Sequence, residues 1–396
     1  MRVRYPAYYE SFSCIADKCE DTCCAGWEID IDEASYAYYQ SLPGRFGEKV
    51  RGYLKEYDGD SGDAYEAHGF ILQDGKKCPF LQEDGLCEMI LTLGENAICD
   101  VCTYTPRNYL EYGGMREISV SPGCAEAGRL LFGSAEKISF VTGEEAGELD
   151  IEESADERHF GETIRAVRDF GLEILQERDA SVLARMRGFL FFGNEVQRRL
   201  NSEDVEGLLK LCDRRPSDVI ARAQNVRNGQ ALSEDEGYLY FEKRFELFGG
   251  LDSLGGEWQR YLEDMRAAFV ESDNAEKNYL EAVAGYRRCL ESEHREYESE
   301  HLAVYLAFLM IARCVDDWNF WGKVQFVTVS WLFVRDMNAL RFYETGNFTV
   351  EDRVDVMRIY AKEVEHSQEN LDEMQEEFLF EEFYSYEQLM CQLEGC

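Results

Sequence analysis

Nine cysteines fall within the first 124 residues of this 396-residue chain: Cys14, Cys19, Cys23, Cys24, Cys78, Cys87, Cys99, Cys102 and Cys124. Four of them occupy SCIADKCEDTCCAGWEIDID, residues 13 to 32, where the last two stand side by side. A segment this dense in thiols is expected to fold around what the sulfurs bind. The remaining five, Cys212, Cys289, Cys314, Cys391 and Cys396, are scattered and read as small core residues or terminal thiols. The opening MRVRYPAYYE lacks the apolar run of a signal peptide, which predicts a cytoplasmic protein. In a reducing cytosol disulfides are disfavoured and thiolates are available for metals or redox chemistry.

Proline divides the chain in the same way. Five of the six prolines (Pro6, Pro43, Pro79, Pro106 and Pro122) share the cysteine-rich part, and none follows Pro216. The expected fold is mainly α: an irregular cysteine-rich N-terminal module with a short β-hairpin, residues 1–145, followed by a helical domain, residues 146–396. The acidic run 142–160 marks the boundary, with room for a short strand. In NYLEYGGMREISVS, Gly113 and Gly114 separate two strand-like runs and predict a tight hairpin between Cys102 and Cys124, a clamp beside a metal site. Further on, Thr349 and Asp352 predict a helix cap ahead of apolar residues at helical spacing, from Val350 to Val364. Residues 301–314 and 324–340 are apolar nearly all round, as central helices would be. The longest apolar run, LAVYLAFLMIA at 302–312, is too short for the roughly 20 residues of a membrane span, so no membrane partner is expected.

A net charge of −38 argues against nucleic acid, whose phosphates require clustered Lys and Arg. It suits a solvated acidic surface or steering of a lysine-bearing partner. Oligomeric state is not readable from it.

The cysteine-rich part holds one histidine, His68, so a metal site there is nearly all thiolate, which suits zinc and a [4Fe-4S] cluster alike. Structural zinc usually uses two CxxC pairs; only Cys99 and Cys102 have that spacing, which tilts the reading toward iron and sulfur. Cys23 and Cys24 send their side chains in different directions outside a tight turn. Either one ligates and the other packs, or they serve two sites, nine thiols being enough for two four-ligand sites with one left over.

The segments YPAYYESFSCIADKCEDTCCAGWEIDID, CPFL, GLCEMI, LGENAICDVCTYTPR, CAEAGRLLF and EVEHSQENL together resemble the flagellin lysine-N-methylase family, among cysteine-cluster proteins of the CxxxCC type. The likeness is carried by both ends of the chain; residues 145 to 340 contribute little. It implies an enzyme that moves a methyl group from S-adenosylmethionine to lysine amines of flagellin, with a [4Fe-4S] cluster held by the nine cysteines. Two departures from other methyltransferases stand out. FGGLDSLGG, 248 to 256, follows no strand and is no dinucleotide loop, and Gly26 replaces the third cysteine of the CxxxCxxC triplet of radical enzymes. A sulfonium methyl is already electrophilic, so transfer needs alignment and a neutral lysine. A cluster then either supports the site or delivers an electron, and the residues leave both open.

Three other residues are candidates. Arg107, after the CxxC, suits the cofactor carboxylate or an ordinary salt bridge. His366, read as four residues from Asn370 on one helix, and the adjacent Glu365 are candidate bases, with a packed helix-end histidine as the plain alternative. Aromatic residues, Trp27 included, are expected mainly in cores. The competing functions are a non-catalytic cytosolic protein that binds zinc or iron, and a thiol oxidoreductase using Cys99 and Cys102. The latter lacks a surrounding βαβ pattern.

Overall fold

The computed structural model describes residues 1–57, 67–74, 76–225, 234–253 and 255–393. Cys396 lies outside them. The chain divides into two compact units, one of residues 1–10, 109–119 and 129–396 and the other of residues 11–108 and 120–128. Segments from the first 145 residues enter both.

The larger unit is mainly helical, and several of its helices start on a residue whose side chain satisfies a free N–H group. Ser154 and Glu157 form a capping box for helix Ala155–Leu175, Ser181 caps Val182–Leu200, and Thr349 with Asp352 forms the expected box for Val350–Tyr360. The two apolar stretches seen in the sequence lie in helices Tyr297–Met310 and Phe320–Thr345, and both are buried on nearly every side. Aromatic stacking closes the centre: Phe248 lies 3.9 Å from Phe333 and Phe241 4.2 Å from Tyr279, centroid to centroid. Burying one such side chain contributes about 1.5–3 kcal/mol. Every named element after residue 150 is helical.

A four-stranded sheet belongs mostly to this unit, in the order β5 (Arg107–Tyr112), β6 (Met115–Val120), β1 (Arg2–Pro6), β7 (Phe140–Glu144). β1 runs parallel to β6, with Val3 beside Arg116, and antiparallel to β7, with Val3 beside Gly143. β7 is the short strand anticipated in the acidic run. β5 and β6 are the expected hairpin; Gly113 and Gly114 both have positive φ, 55° and 67°, as a two-residue turn of this hand requires. The tip is held by Glu153, which accepts from both glycine N–H groups at 2.5 and 2.8 Å, and by Arg165, which donates to the Tyr112 carbonyl at 2.8 Å. A carboxylate and a guanidinium, not thiols, therefore anchor the tip.

The smaller unit has an antiparallel sheet ordered β2 (Asp30–Ile31), β4 (His68–Phe70), β3 (Leu54–Glu56), with short helices and turns around it. Its core contains Ile29, Ile31, Tyr39, Val50, Phe70, Phe80 and Met89, and Trp27 packs against it.

One helical expectation is corrected. His366 and Asn370 do not share a continuous helix: helix Val350–Tyr360 passes into a π-helical turn, Ala361–Glu365, and Ser367 caps a new helix, Gln368–Phe380. Asn370 is fully buried and spends its amide on the carbonyls of Asp252 and Glu363, which fixes the break.

Candidate functional site

All nine N-terminal cysteines lie in the smaller unit, and each described cysteine is a free thiol. Cys14 and Cys19 flank the single turn Ala16–Lys18. Cys87 and Cys99 occupy the capping positions of the short helices Glu88–Leu93 and Asp100–Tyr104, and Cys124 directly precedes helix Ala125–Phe132. Sulfur thus stands where serine or aspartate commonly caps. Burial pushes Cys78 up to about 12 and raises Cys87 and Cys124, while backbone amides oppose it: Phe80 at Cys78, Ile90 and Met89 at Cys87, Ala127 and Glu126 at Cys124. Amides turned toward sulfur favour its anion.

Two pairs share protons. A hydrogen bond from Cys23 lowers Cys24 to about 7 and holds the Cys23 proton tightly; in the same way Cys102 lowers Cys99 and is itself raised. The second pair is polarised like a redox CxxC, but Cys99 is 1% exposed and cannot reach a protein disulfide. Among the described residues no three His, Cys, Asp or Glu side chains stand at coordination spacing. The donor set nevertheless fits a thiophilic metal: neighbouring sulfurs raise one another's pKa, and a cation is the counter-charge that lets them ionise together. His68 is committed elsewhere, stacked 3.6 Å from Tyr36 and 3.0 Å from the Glu33 carboxylate. Arg107 sits over the Phe12 ring, 5.2 Å from its centroid.

The larger unit holds a second polar group of residues, at the π-turn. Tyr305 donates its hydroxyl to Glu365 Oε2 at 2.7 Å. Tyr8 lies in the same field; burial and the Glu365 charge raise its hydroxyl pKa. Tyr360 is raised by burial, with Ser330 opposing and Glu365 adding. His366 is open to solvent on one side yet crowded by surrounding chain, and this desolvation, with Arg313 and Lys362 beside it, lowers its pKa to about 4. π-turns inside helices are frequent at functional sites. Glu365 and His366 are thus brought to one place, joined by Tyr305 and Tyr8, which the sequence did not single out. The available signal was a lone hydroxyl inside the apolar run LAVYLAFLMIA.

The model of the FliB lysine N-methylase C-terminal domain matches residues 168–392, more than half of the chain. The chain belongs to the FliB lysine N-methylase family. The family match covers the helical core and the π-turn, including most of the stretch in which the motif resemblance was weak. Among curated relatives, the lysine-N-methylase of Salmonella typhimurium is 28% identical over 137 residues, 31% of this chain and 31% of that protein. The lysine-N-methylase of Salmonella choleraesuis matches to the same extent. The flagellar biosynthetic protein FliU of Salmonella muenchen is 28% identical over 137 residues, 31% of this chain and 73% of that protein. The aligned part of this FliB family member therefore spans about a third of the lysine-N-methylases it matches. No solved structure matches. Among the described residues no helix is long and apolar enough to cross a membrane.

Proposed function

We propose that this protein is an S-adenosylmethionine-dependent lysine N-methyltransferase of the cytoplasm that acts on flagellin. The observation that carries the reading is the family match over residues 168–392, which contains the π-turn with Glu365, His366 and the Tyr305 hydroxyl.

A lysine amine, ordinarily protonated with a pKa near 10.4, attacks a methyl group only when neutral. Glu365 is the proton acceptor in this reading. Tyr305 donates to one oxygen of its carboxylate at 2.7 Å and so holds its orientation. His366, neutral above about pH 4, serves in this reading as an uncharged neighbour of the incoming amine. When bound, S-adenosylmethionine would supply an electrophilic methyl group for the lysine nitrogen, leaving S-adenosylhomocysteine, and Glu365 would take the proton of the amine. The charge of −38 steers lysine-bearing loops of flagellin toward the protein.

Ligands for a [4Fe-4S] cluster would be drawn from the nine N-terminal cysteines. When bound, such a cluster supplies rigidity or a single electron. The test is incubation of anaerobically purified protein with flagellin and S-adenosylmethionine, followed by mass spectrometry. Methyl-lysine with S-adenosylhomocysteine, formed without reductant, supports polar transfer and a structural cluster. A requirement for strong reductant, with 5′-deoxyadenosine as product, assigns the cluster to the chemistry. A protein that binds metal but neither binds the cofactor nor modifies flagellin is the non-catalytic metal protein instead.

A further inference from the structure

We propose that the nine N-terminal thiols form two separate all-thiolate metal centres whose ligand sets part between Cys23 and Cys24: an inner one drawn from Cys24, Cys78, Cys87, Cys99 and Cys102, and an outer one of Cys14, Cys19, Cys23 and Cys124. This rests on reading the thiols as metal ligands and is independent of the methyl-transfer reading.

Packing makes the division. Cys78 and Cys99 belong to the buried core of the smaller unit, and Cys24, Cys87 and Cys102 pack against that core; the other four cysteines take no part in it. The backbone explains why adjacent residues fall on different sides. Cys24 accepts the Cys78 N–H on its carbonyl at 2.8 Å, and the next residue, Ala25, bridges Lys77, so Cys24 is laid alongside the segment that carries Cys78. Cys23 instead offers its carbonyl to Trp27 Nε1 at 3.0 Å and keeps an exposed side chain. The chain turns tightly into Cys124 at the base of the hairpin, where Ser121 N–H donates to the Pro106 carbonyl at 2.8 Å and Cys124 N–H to the Ser121 carbonyl at 3.1 Å.

The electrostatic neighbours agree. Cys78, Cys87 and Cys102 each feel Cys24 and Cys99 as nearby charges, in addition to burial. Cys124 feels Cys19 and Cys14, and Cys19 feels Cys14. Cys23 feels Cys14 and Cys124, and it also carries the hydrogen bond to Cys24 that links the two groups. Four sulfurs complete the outer set, and five supply the inner one with a spare. All-sulfur coordination selects zinc or an iron–sulfur cluster for each. Where Cys23 and Cys24 both ligate, adjacent Cα atoms about 3.8 Å apart and metal–sulfur bonds of about 2.3 Å place the two centres within roughly 14 Å of each other.

The test is metal and sulfide analysis, with visible and electron paramagnetic resonance spectra, of full-length protein prepared without oxygen. The native chain is compared with the pair Cys14→Ser, Cys124→Ser and with the pair Cys78→Ser, Cys99→Ser. The outer pair lies outside the core and should keep its circular dichroism while losing one centre's metal and spectrum and retaining the other's. The inner pair should do the reverse, and Cys23→Ser should behave as the outer pair does. Iron with sulfide, or zinc, then names the type of each centre. If the inner pair fails to fold, the outer pair and Cys23→Ser decide. A native chain holding one centre or none, or an outer pair that keeps all of its metal or loses all of it, overturns the proposal.

Discussion

Arg244 and Asp336 hold each other inside the helical core, with Nε and a terminal nitrogen of the guanidinium both donating to Asp336 Oδ2, at 2.9 and 2.8 Å. Their side chains are 1% and 0% exposed, and the other carboxylate oxygen accepts from Tyr279 at 2.9 Å and from Arg335 at 2.7 Å. Removing Asp336 leaves the buried Arg244 guanidinium without its counter-charge. Asp336→Ala should cost about 3–5 kcal/mol, read as a fall in the urea midpoint. Replacing both with apolar residues of similar volume should cost less, although Arg335 then also loses its pair with Asp336.

The acid limb of stability should belong to two buried carboxylates. Burial opposes ionisation of Glu117 and Glu300, but Arg168 and Arg4 around the first, and Arg178 and Arg185 around the second, outweigh it and leave both below the ordinary carboxylate range. A depressed carboxyl stabilises fully above its unfolded value, about pH 4.3, and that contribution is lost as pH falls through the lower folded value. Melting temperatures measured from about pH 3 to 7 should therefore drop steeply at the acid end. Glu117→Gln should be less stable at neutral pH and show a shallower drop.

Glu365→Gln should lower flagellin methylation by about 10²–10⁴-fold, the usual worth of a general base, with the fold intact by circular dichroism. Tyr305→Phe should cost less, because it frees the carboxylate without removing it. His366→Gln should leave the shape of the rate profile between about pH 5 and 8 unchanged, since desolvation with Arg313 and Lys362 already keeps the ring neutral there. A limb near the ordinary histidine value that vanishes in His366→Gln would reassign the base.

Gly113 and Gly114 should differ in tolerance although both have positive φ. A Cβ on Gly113 would lie 2.8 Å from the backbone of Gly161 and Glu162, whereas one on Gly114 would meet the movable Arg158 side chain at 3.4 Å. Gly113→Ala should cost about 1–3 kcal/mol in a thermal or urea melt, and Gly114→Ala less.

What the sequence made legible was local. The glycine pair needs only its two flanking strands to specify a turn, the Thr349–Asp352 box needs only its own first turn, and helices that are apolar all round declare their burial. The π-turn was not legible, because Ile359, Glu363 and His366 keep a helical period while Asn370, buried from the next helix, decides where the helix breaks. Cysteine spacing left the grouping of the thiols open for a similar reason. Which sulfurs meet depends on tertiary contacts such as Cys78 N–H to the Cys24 carbonyl. The long middle of the chain carries no short motif, only a pattern of buried helices, and that pattern is most of what the family match covers.

β1 lies inside its sheet, between β6 and β7, although it comes first in the chain. During synthesis, Arg2–Pro6 leaves the ribosome more than a hundred residues before Met115–Val120 and Phe140–Glu144, the strands that flank it. Nearly all of the thiol-rich unit is made in that interval. The sheet of the larger unit therefore closes late, around an opening segment whose backbone groups must wait for both neighbours. A nascent chain that stalls between residues 11 and 108 presents that strand unpaired, a form for chaperones to hold and for proteases to clear.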